Sequence, residues 1–186
     1  MTGPEQFIKL VNNSVKFRLF LFTKLPSAYF SGVRVKSLSE EKAEVTVPYK
    51  WFSQNPFKST YFACLAMAAE LSTGLLALLN TYNRKPAVSM LVVGLEAVYH
   101  KKATGITLFT CEDGLAVKDI VNDAIATGEP KAIKTKSTGV NEKGELIAEL
   151  FITWSFKVKA AELLSPGITI AYLQTKITND ENCFPW

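Results

Sequence analysis

Residues 59–83 read STYFACLAMAAELSTGLLALLNTYN, the longest uncharged run of the chain but for one carboxylate, Glu70. Alanine and leucine dominate it, and both are strong helix formers. A helix is therefore predicted over about 59–79, with Ser59 or Thr60 as its N-cap. Such a segment is long enough to cross a bilayer. A span would place Glu70 near the bilayer centre at roughly 2.5–3.5 kcal/mol on insertion scales, and the segments that follow alternate as strands of a soluble sheet do. The helix is read as the core of a soluble domain.

Working outward, Val33 and Val35 alternate with Arg34 and Lys36, and a turn at Ser39-Glu40-Glu41 leads to Ala43, Val45 and Val47 alternating with Glu44 and Thr46. This is a β-hairpin with one wet face. Beyond the helix, residues 87–100 are almost continuously apolar, which predicts a central strand buried on both faces. A strand at about 104–111 precedes a short helix at 115–127, with Gly128 at its C′ position. Lys131–Thr138 alternates with lysines, as an edge strand would. A turn at Asn141–Gly144 leads to a long strand, Leu146–Val158, with its even positions apolar.

At the other end, residues 4–24 read as one helix carrying Phe7, Leu10, Val11, Val15, Leu19 and Phe22 as a stripe, ended by Pro26. A basic amphipathic helix can lie on a membrane surface. Phe17, Phe20 and Leu21 widen the apolar face, so packing across the domain or a dimer mate is expected instead. The order gives an α+β fold: an antiparallel sheet wrapped around one long central helix, with an extra N-terminal helix and a short inserted helix. One domain is expected over 1–186, with its N-terminal helix in 1–26, its core in 27–160 and a tail in 161–186.

Composition agrees. The chain has 186 residues, 48% hydrophobic and 20% charged, with 12 Phe, which excludes disordered and collagen-like classes. Mean hydropathy is +0.12. A net charge of +4 suits an anionic ligand such as coenzyme A but is too weak to indicate nucleic acid. Cys64, Cys111 and Cys183 form neither a disulfide framework nor a zinc-ligand pattern, so no metal is expected and a reducing cytoplasm is the expected compartment. The N-terminus lacks the apolar core and cleavage site of a signal peptide.

No GxSxG, P-loop, GxGxxG or HExxH motif occurs. His100 ends a strand beside Lys101 and Lys102 and is read as structural. Cys64 is read as a small core residue. Glu70 differs, because Ala63, Ala66, Met67, Thr73, Gly74 and Ala77 share its side of the helix. Mostly small side chains around one carboxylate leave room for a ligand. The structural alternative is a carboxylate that reaches solvent at the helix edge, or that pairs with Arg18, Arg34 or Arg84 as a buried charge requires. The residues alone leave both readings open.

The run Asn55-Pro56-Phe57-Lys58-Ser59-Thr60-Tyr61-Phe62-Ala63, followed by Ala69-Glu70, resembles hotdog-fold thioesterases. In those an Asn or Gln precedes a His-Gly-Gly and an acid follows on the helix. Asn55 lies six residues before Tyr61 and Glu70 nine after it. Leu25-Pro26, Gly32-Val33-Arg34-Val35, Val47-Pro48-Tyr49 and Trp154-Ser155 look like a bacterial hotdog family of unassigned function, filed as thioesterase-like. The resemblance covers about 25–158.

It implies a homodimer or tetramer with the site at a subunit interface, no cofactor, and an acyl-CoA or acyl-carrier-protein thioester as substrate. It makes Glu70 the general base or nucleophile and Asn55 the amide that orients water or the thioester. The Phe62 N–H becomes the oxyanion donor, at a helix N-terminus suited to negative charge. Thr73 becomes a hydroxyl partner one turn on, with Gly74 where related enzymes carry a hydroxyl. Tyr61, Phe62 and Ala63 stand where His-Gly-Gly would line the substrate, and the lost glycines narrow the approach to the backbone. A non-catalytic hotdog module that binds an acyl or lipid ligand is the alternative.

Overall fold

A computed structural model describes residues 3–159. The expected tail, 161–186, and Cys183 lie outside the described residues. The elements are α1 (Gly3–Asn12), α2 (Ser14–Lys24), α3 (Pro26–Ser31), β1 (Arg34–Leu38), β2 (Ala43–Val47), a 3-10 turn (Trp51–Ser53), α4 (Phe62–Thr81), β3 (Val88–Tyr99), β4 (Thr107–Cys111), α5 (Gly114–Thr127), β5 (Lys131–Asn141) and β6 (Leu146–Val158). The strands form one antiparallel sheet in the order β1-β2-β4-β5-β6-β3. The expected α+β class and the long helix against the sheet are both present.

α4 has 20 residues and spans about 30 Å. It is buried along most of its length from Cys64 to Asn80. Leu75, Leu76 and Ala77 are fully buried, as are Phe109, Leu150, Ile152 and Phe156 of the sheet. The helix begins three residues later than predicted, and neither predicted N-cap residue caps it. Thr60 instead binds Ala103 O through both its N–H (2.8 Å) and its hydroxyl (3.2 Å). Ser59 donates to Asn55 Oδ1. Tyr61 occupies the N-cap without a side-chain bond.

Three expectations for the outer elements need correction. The first concerns 4–24, which is two helices broken at Asn13, whose side chain accepts from the Lys16 N–H and caps α2. Pro26 does not merely end a helix but opens α3 at its first turn, where a missing N–H costs nothing. The break divides the predicted stripe. Phe7, Val11, Phe17 and Leu21 are buried, while Val15, Leu19 and Phe22 face outward.

The second concerns 87–100, which is a sheet edge and not a central strand. β3 pairs with β6 alone, and Leu91 and Leu95 are 65% and 55% exposed. Continuous apolarity records that a strand is to be covered on both faces; it does not say by which chain. The third concerns Lys131–Thr138. β5 is interior, paired with β6 along its length, although β4 reaches only its last residues, Thr138–Asn141. Thr135 and Ser137 are fully buried between the exposed Lys134 and Lys136.

α5 follows β4 and ends at Gly128 in the left-handed region, φ 73°, as its predicted C′ role requires. Its start is pinned to the hairpin turn. The Gly114 N–H donates to Glu41 O (2.9 Å), and a Cβ on Gly114 would lie 2.1 Å from Glu40 O. Backbone on both sides leaves nothing soft to move. Gly114→Ala is expected to destabilise the fold by about 1–3 kcal/mol, measured by urea denaturation, with Gly128→Ala as a control limited to the left-handed strain.

Candidate functional site

Glu70 lies at the middle of α4, and its side chain is largely buried. None of the arginines considered as partners reaches it. Arg34 donates to Tyr29 O and Val33 O, Arg84 to Asn122, and Arg18 sits over the Tyr29 ring at 6.0 Å. Among the described residues the Glu70 carboxyl forms no ion pair or hydrogen bond. Burial without a partner pushes it up to about 7, because the low-dielectric surroundings disfavour the charged form.

The residues around it explain its position. A Cβ on Gly74 would come within 3.2 Å of Glu70 Oε1 and 3.3 Å of Trp154 Cζ2. The carboxyl and the indole therefore converge on the space that glycine leaves. Trp154, buried on β6, donates from Nε1 to Thr73 Oγ1 (3.0 Å). The Thr73 hydroxyl donates in turn to the Glu70 backbone carbonyl (3.0 Å). Thr73 is fully buried and holds the indole in place; its hydroxyl does not meet the carboxyl. Trp154 is not among the site residues that the sequence predicts. The signal that was present is a buried indole N–H needing an acceptor and a threonine in an apolar helix.

Glu70 lines a cavity of about 240 Å³ with Lys24, Pro26 and Ala28 of the α2–α3 junction and Met67 and Leu71 of α4. The junction was not foreseen as part of the site, because no local pattern tells which loop will cross a helix.

Asn55, Phe62 and Tyr61 lie elsewhere. Eight residues of helix, about 12 Å, separate Phe62 from Glu70. Asn55 and Phe62 border a second groove, of about 380 Å³, with Ser59, Leu65, Tyr99 and His100. Asn55 Oδ1 accepts from the N–H groups of Phe57 (3.0 Å) and Ser59 (3.3 Å) and from the Ser59 hydroxyl. This leaves its Nδ2 as the free donor among the described residues. The first N–H groups of α4, at Phe62 and Ala63, have no intrahelical acceptor, as at any helix start. The Phe62 ring is 55% exposed and lies between Tyr61 (4.9 Å) and Tyr99 (6.4 Å).

His100, read as structural for want of a partner, has one in Glu149 (Nε2···Oε2 3.1 Å). Glu149 also meets Lys136 (2.6 Å), and these hydrogen bonds hold it below the usual carboxylate range. Cys64 is buried, with its Sγ 3.6 Å from Ser31 Oγ. No cluster of three or more metal-ligating acids, histidines or cysteines occurs among the described residues.

Within one chain, then, the sequence-predicted residues fall into two groups. Glu70, Thr73 and Gly74 gather with Trp154 at mid-helix; Asn55, Tyr61, Phe62 and Ala63 gather at the helix start.

Solved structures with the same fold are numerous. PA5026 of Pseudomonas aeruginosa, a protein of unknown function and probable thioesterase, superposes with TM-score 0.63 at 19% identity, over 83% of this chain and 95% of that one. Thioesterase HI1161 of Haemophilus influenzae gives 0.55 at 11% identity, over 81% and 94%. The PaaI protein of the E. coli phenylacetic acid degradation operon gives 0.56 at 11%, over 82% and 98%. At these identities the likeness establishes the hotdog fold. A comparison with curated proteins finds no significant match. Residues 15–156 match the model of a domain of unknown function, DUF4442, and the chain belongs to that family.

Proposed function

We propose that the protein is a thioester hydrolase acting on an acyl-CoA or acyl-carrier-protein substrate, with Glu70 as its reacting carboxylate and two copies of the chain forming each site. The observation that carries this reading is the unpartnered carboxyl of Glu70, a residue that lines a cavity and whose carboxyl burial pushes up to about 7. A base with a pKa near the working pH is effective in proton transfer.

Ionised Glu70 takes a proton from water as the water oxygen bonds to the thioester carbon. The carbonyl oxygen becomes an oxyanion, stabilised by the Phe62 N–H at the start of α4. Collapse breaks the C–S bond, and the sulfur leaves with the proton from Glu70. Acting as a nucleophile, the same carboxylate would give a mixed anhydride that water then opens. Asn55 Nδ2 orients the water or the thioester oxygen.

The separation of Glu70 from Phe62 and Asn55 on one chain supports assembly from two copies. The exposed apolar edge of β3, with its unpaired backbone groups, supports joining of two sheets there. The working compartment we assign is the cytoplasm. One observation favours the alternative, a non-catalytic acyl or lipid carrier: the Phe62 ring stands where glycine would admit the thioester to the backbone. Native mass spectrometry that finds a co-purifying acyl ligand, together with no turnover, would favour that alternative.

Turnover of a panel of acyl-CoAs by the purified protein should fall at least about hundredfold in Glu70→Ala. Its rate should rise with pH to a plateau above about 7, because the carboxylate is the active form. Turnover that survives the substitution removes Glu70 from the mechanism.

The same group makes stability pH-dependent in a defined sense. Its folded value, about 7, lies above its ordinary 4.5. The contribution is therefore fully present below about 4.5 and is lost as pH rises through 7, a loss of about 3 kcal/mol. Glu70→Gln abolishes that loss, so its stability relative to wild type should grow by about that amount between pH 4.5 and pH 8 in urea titrations. Finally, Leu91→Lys with Leu95→Lys on β3 should give monomers by light scattering and abolish turnover; a dimer that persists places the contact elsewhere.

A further inference from the structure

Away from the β3 edge, α2, α3 and the 3-10 turn present an apolar surface that no described residue covers. On α2, Val15, Leu19 and Phe22 are spaced by four and three residues and so share one face; Val15 and Leu19 are 76% and 63% exposed. Phe22 meets Tyr29 and Phe30 of α3, with ring centroids 5.1 and 6.1 Å apart. Phe30 stacks on Phe52 at 5.6 Å, and Phe52 meets Trp51 at 5.0 Å. Trp51 is 77% exposed. Since an aromatic side chain presents about 150–250 Å², this ladder amounts to several hundred Å² of continuous apolar surface, the scale that marks an interaction site.

The charges of the segment that carries most of it are of one sign. From Gln6 to Ser39 the chain holds Lys9, Lys16, Arg18, Lys24, Arg34 and Lys36 and no acid. Lys16, Arg18, Lys24 and Lys50 are exposed and form no ion pair among the described residues. Lysines on other surfaces do, as Lys101 with Glu145, Lys118 with Glu40 and Lys134 with Glu96.

We propose that this face docks on an anionic lipid bilayer. A second copy seated on it by two-fold symmetry would set the same cations against one another, with no acid in that segment to offset them. An anionic leaflet neutralises those cations and takes Val15, Leu19, Phe22 and Trp51 into its headgroup boundary, where amphipathic helices and tryptophan are favoured. This departs from the expectation that the N-terminal helix packs inward throughout, because the break at Asn13 leaves one side of α2 unused by the core. The α2–α3 junction also walls the Glu70 cavity, but the docking stands whether or not Glu70 is catalytic.

The test is co-sedimentation of the full chain with vesicles of phosphatidylglycerol and phosphatidylcholine, compared with phosphatidylcholine alone. Binding is expected to the anionic vesicles only and should weaken with salt. Each of Lys16→Gln, Arg18→Gln and Lys24→Gln should lower the partition coefficient roughly fivefold. Leu19→Ser combined with Trp51→Ala should abolish binding with no change in thermal midpoint or molar mass. A chain that stays in the supernatant with both vesicles overturns the proposal, whatever else covers the face. So does equal binding to both. A lower molar mass for the Leu19/Trp51 variant would also overturn it, making the face an interface between copies.

Discussion

A helix that is apolar around its whole circumference has no side to give to water, and α4 is such a helix. Much of the described chain packs so as to cover it. The sheet supplies the large surface, with Phe109, Leu150, Ile152 and Phe156 inward. α5, pinned at Gly114 to the β1–β2 turn, closes another side. The N-terminal helices close what remains with Phe7, Val11, Phe17 and Leu21.

The same constraint singles out Glu70. Polar side chains in such a helix must find partners in the covering layers or within the helix. Ser72 bonds Ser137 and Ala69 O, Thr73 bonds Trp154 and Glu70 O, and Asn80 bonds Leu76 O. Among these four, only the Glu70 side chain has no hydrogen-bond partner among the described residues. A carboxyl so placed meets its desolvation by holding its proton more tightly, and the cavity beside it is what makes that proton available. Gly74 and the Thr73–Trp154 bond fix where the carboxyl and the indole converge, so chemistry assigned to Glu70 depends on three neighbours that need not touch a substrate.

Glu70 and Phe62 lie about two turns apart on one helix, and Asn55 lies before its start, a separation that side chains on a rigid rod do not close. The proposed site, which uses both, is therefore drawn from two chains, and the uncovered strand β3 is the edge proposed to join them. Under this reading catalysis and assembly are one question, since β3 is both the exposed edge and the neighbour of the Phe62 groove through Tyr99.

Much of this was legible in the sequence. The helix, the hairpin, α5 with its Gly128 stop and the alternation of β6 follow from local rules that act over a few residues. The prominence of Glu70 needed only the absence of other charges between 59 and 83. What local rules could not decide was position. The apolar run at 88–99 looks the same whether its cover comes from its own chain or from another, so the edge was read as a centre. The lysines of β5 look like an edge although its intervening residues are buried. The break at Asn13 turns on a side-chain cap that competes with the continuing helix, and the pattern of apolar residues runs through it undisturbed. The wall of the Glu70 cavity, the role of Trp154 and the separation of Asn55 from Glu70 were set only by which elements cross in space. Sequence records each residue's preference for burial, whereas tertiary structure decides which neighbour satisfies it, because contacts between distant segments are determined by the packing of the whole chain.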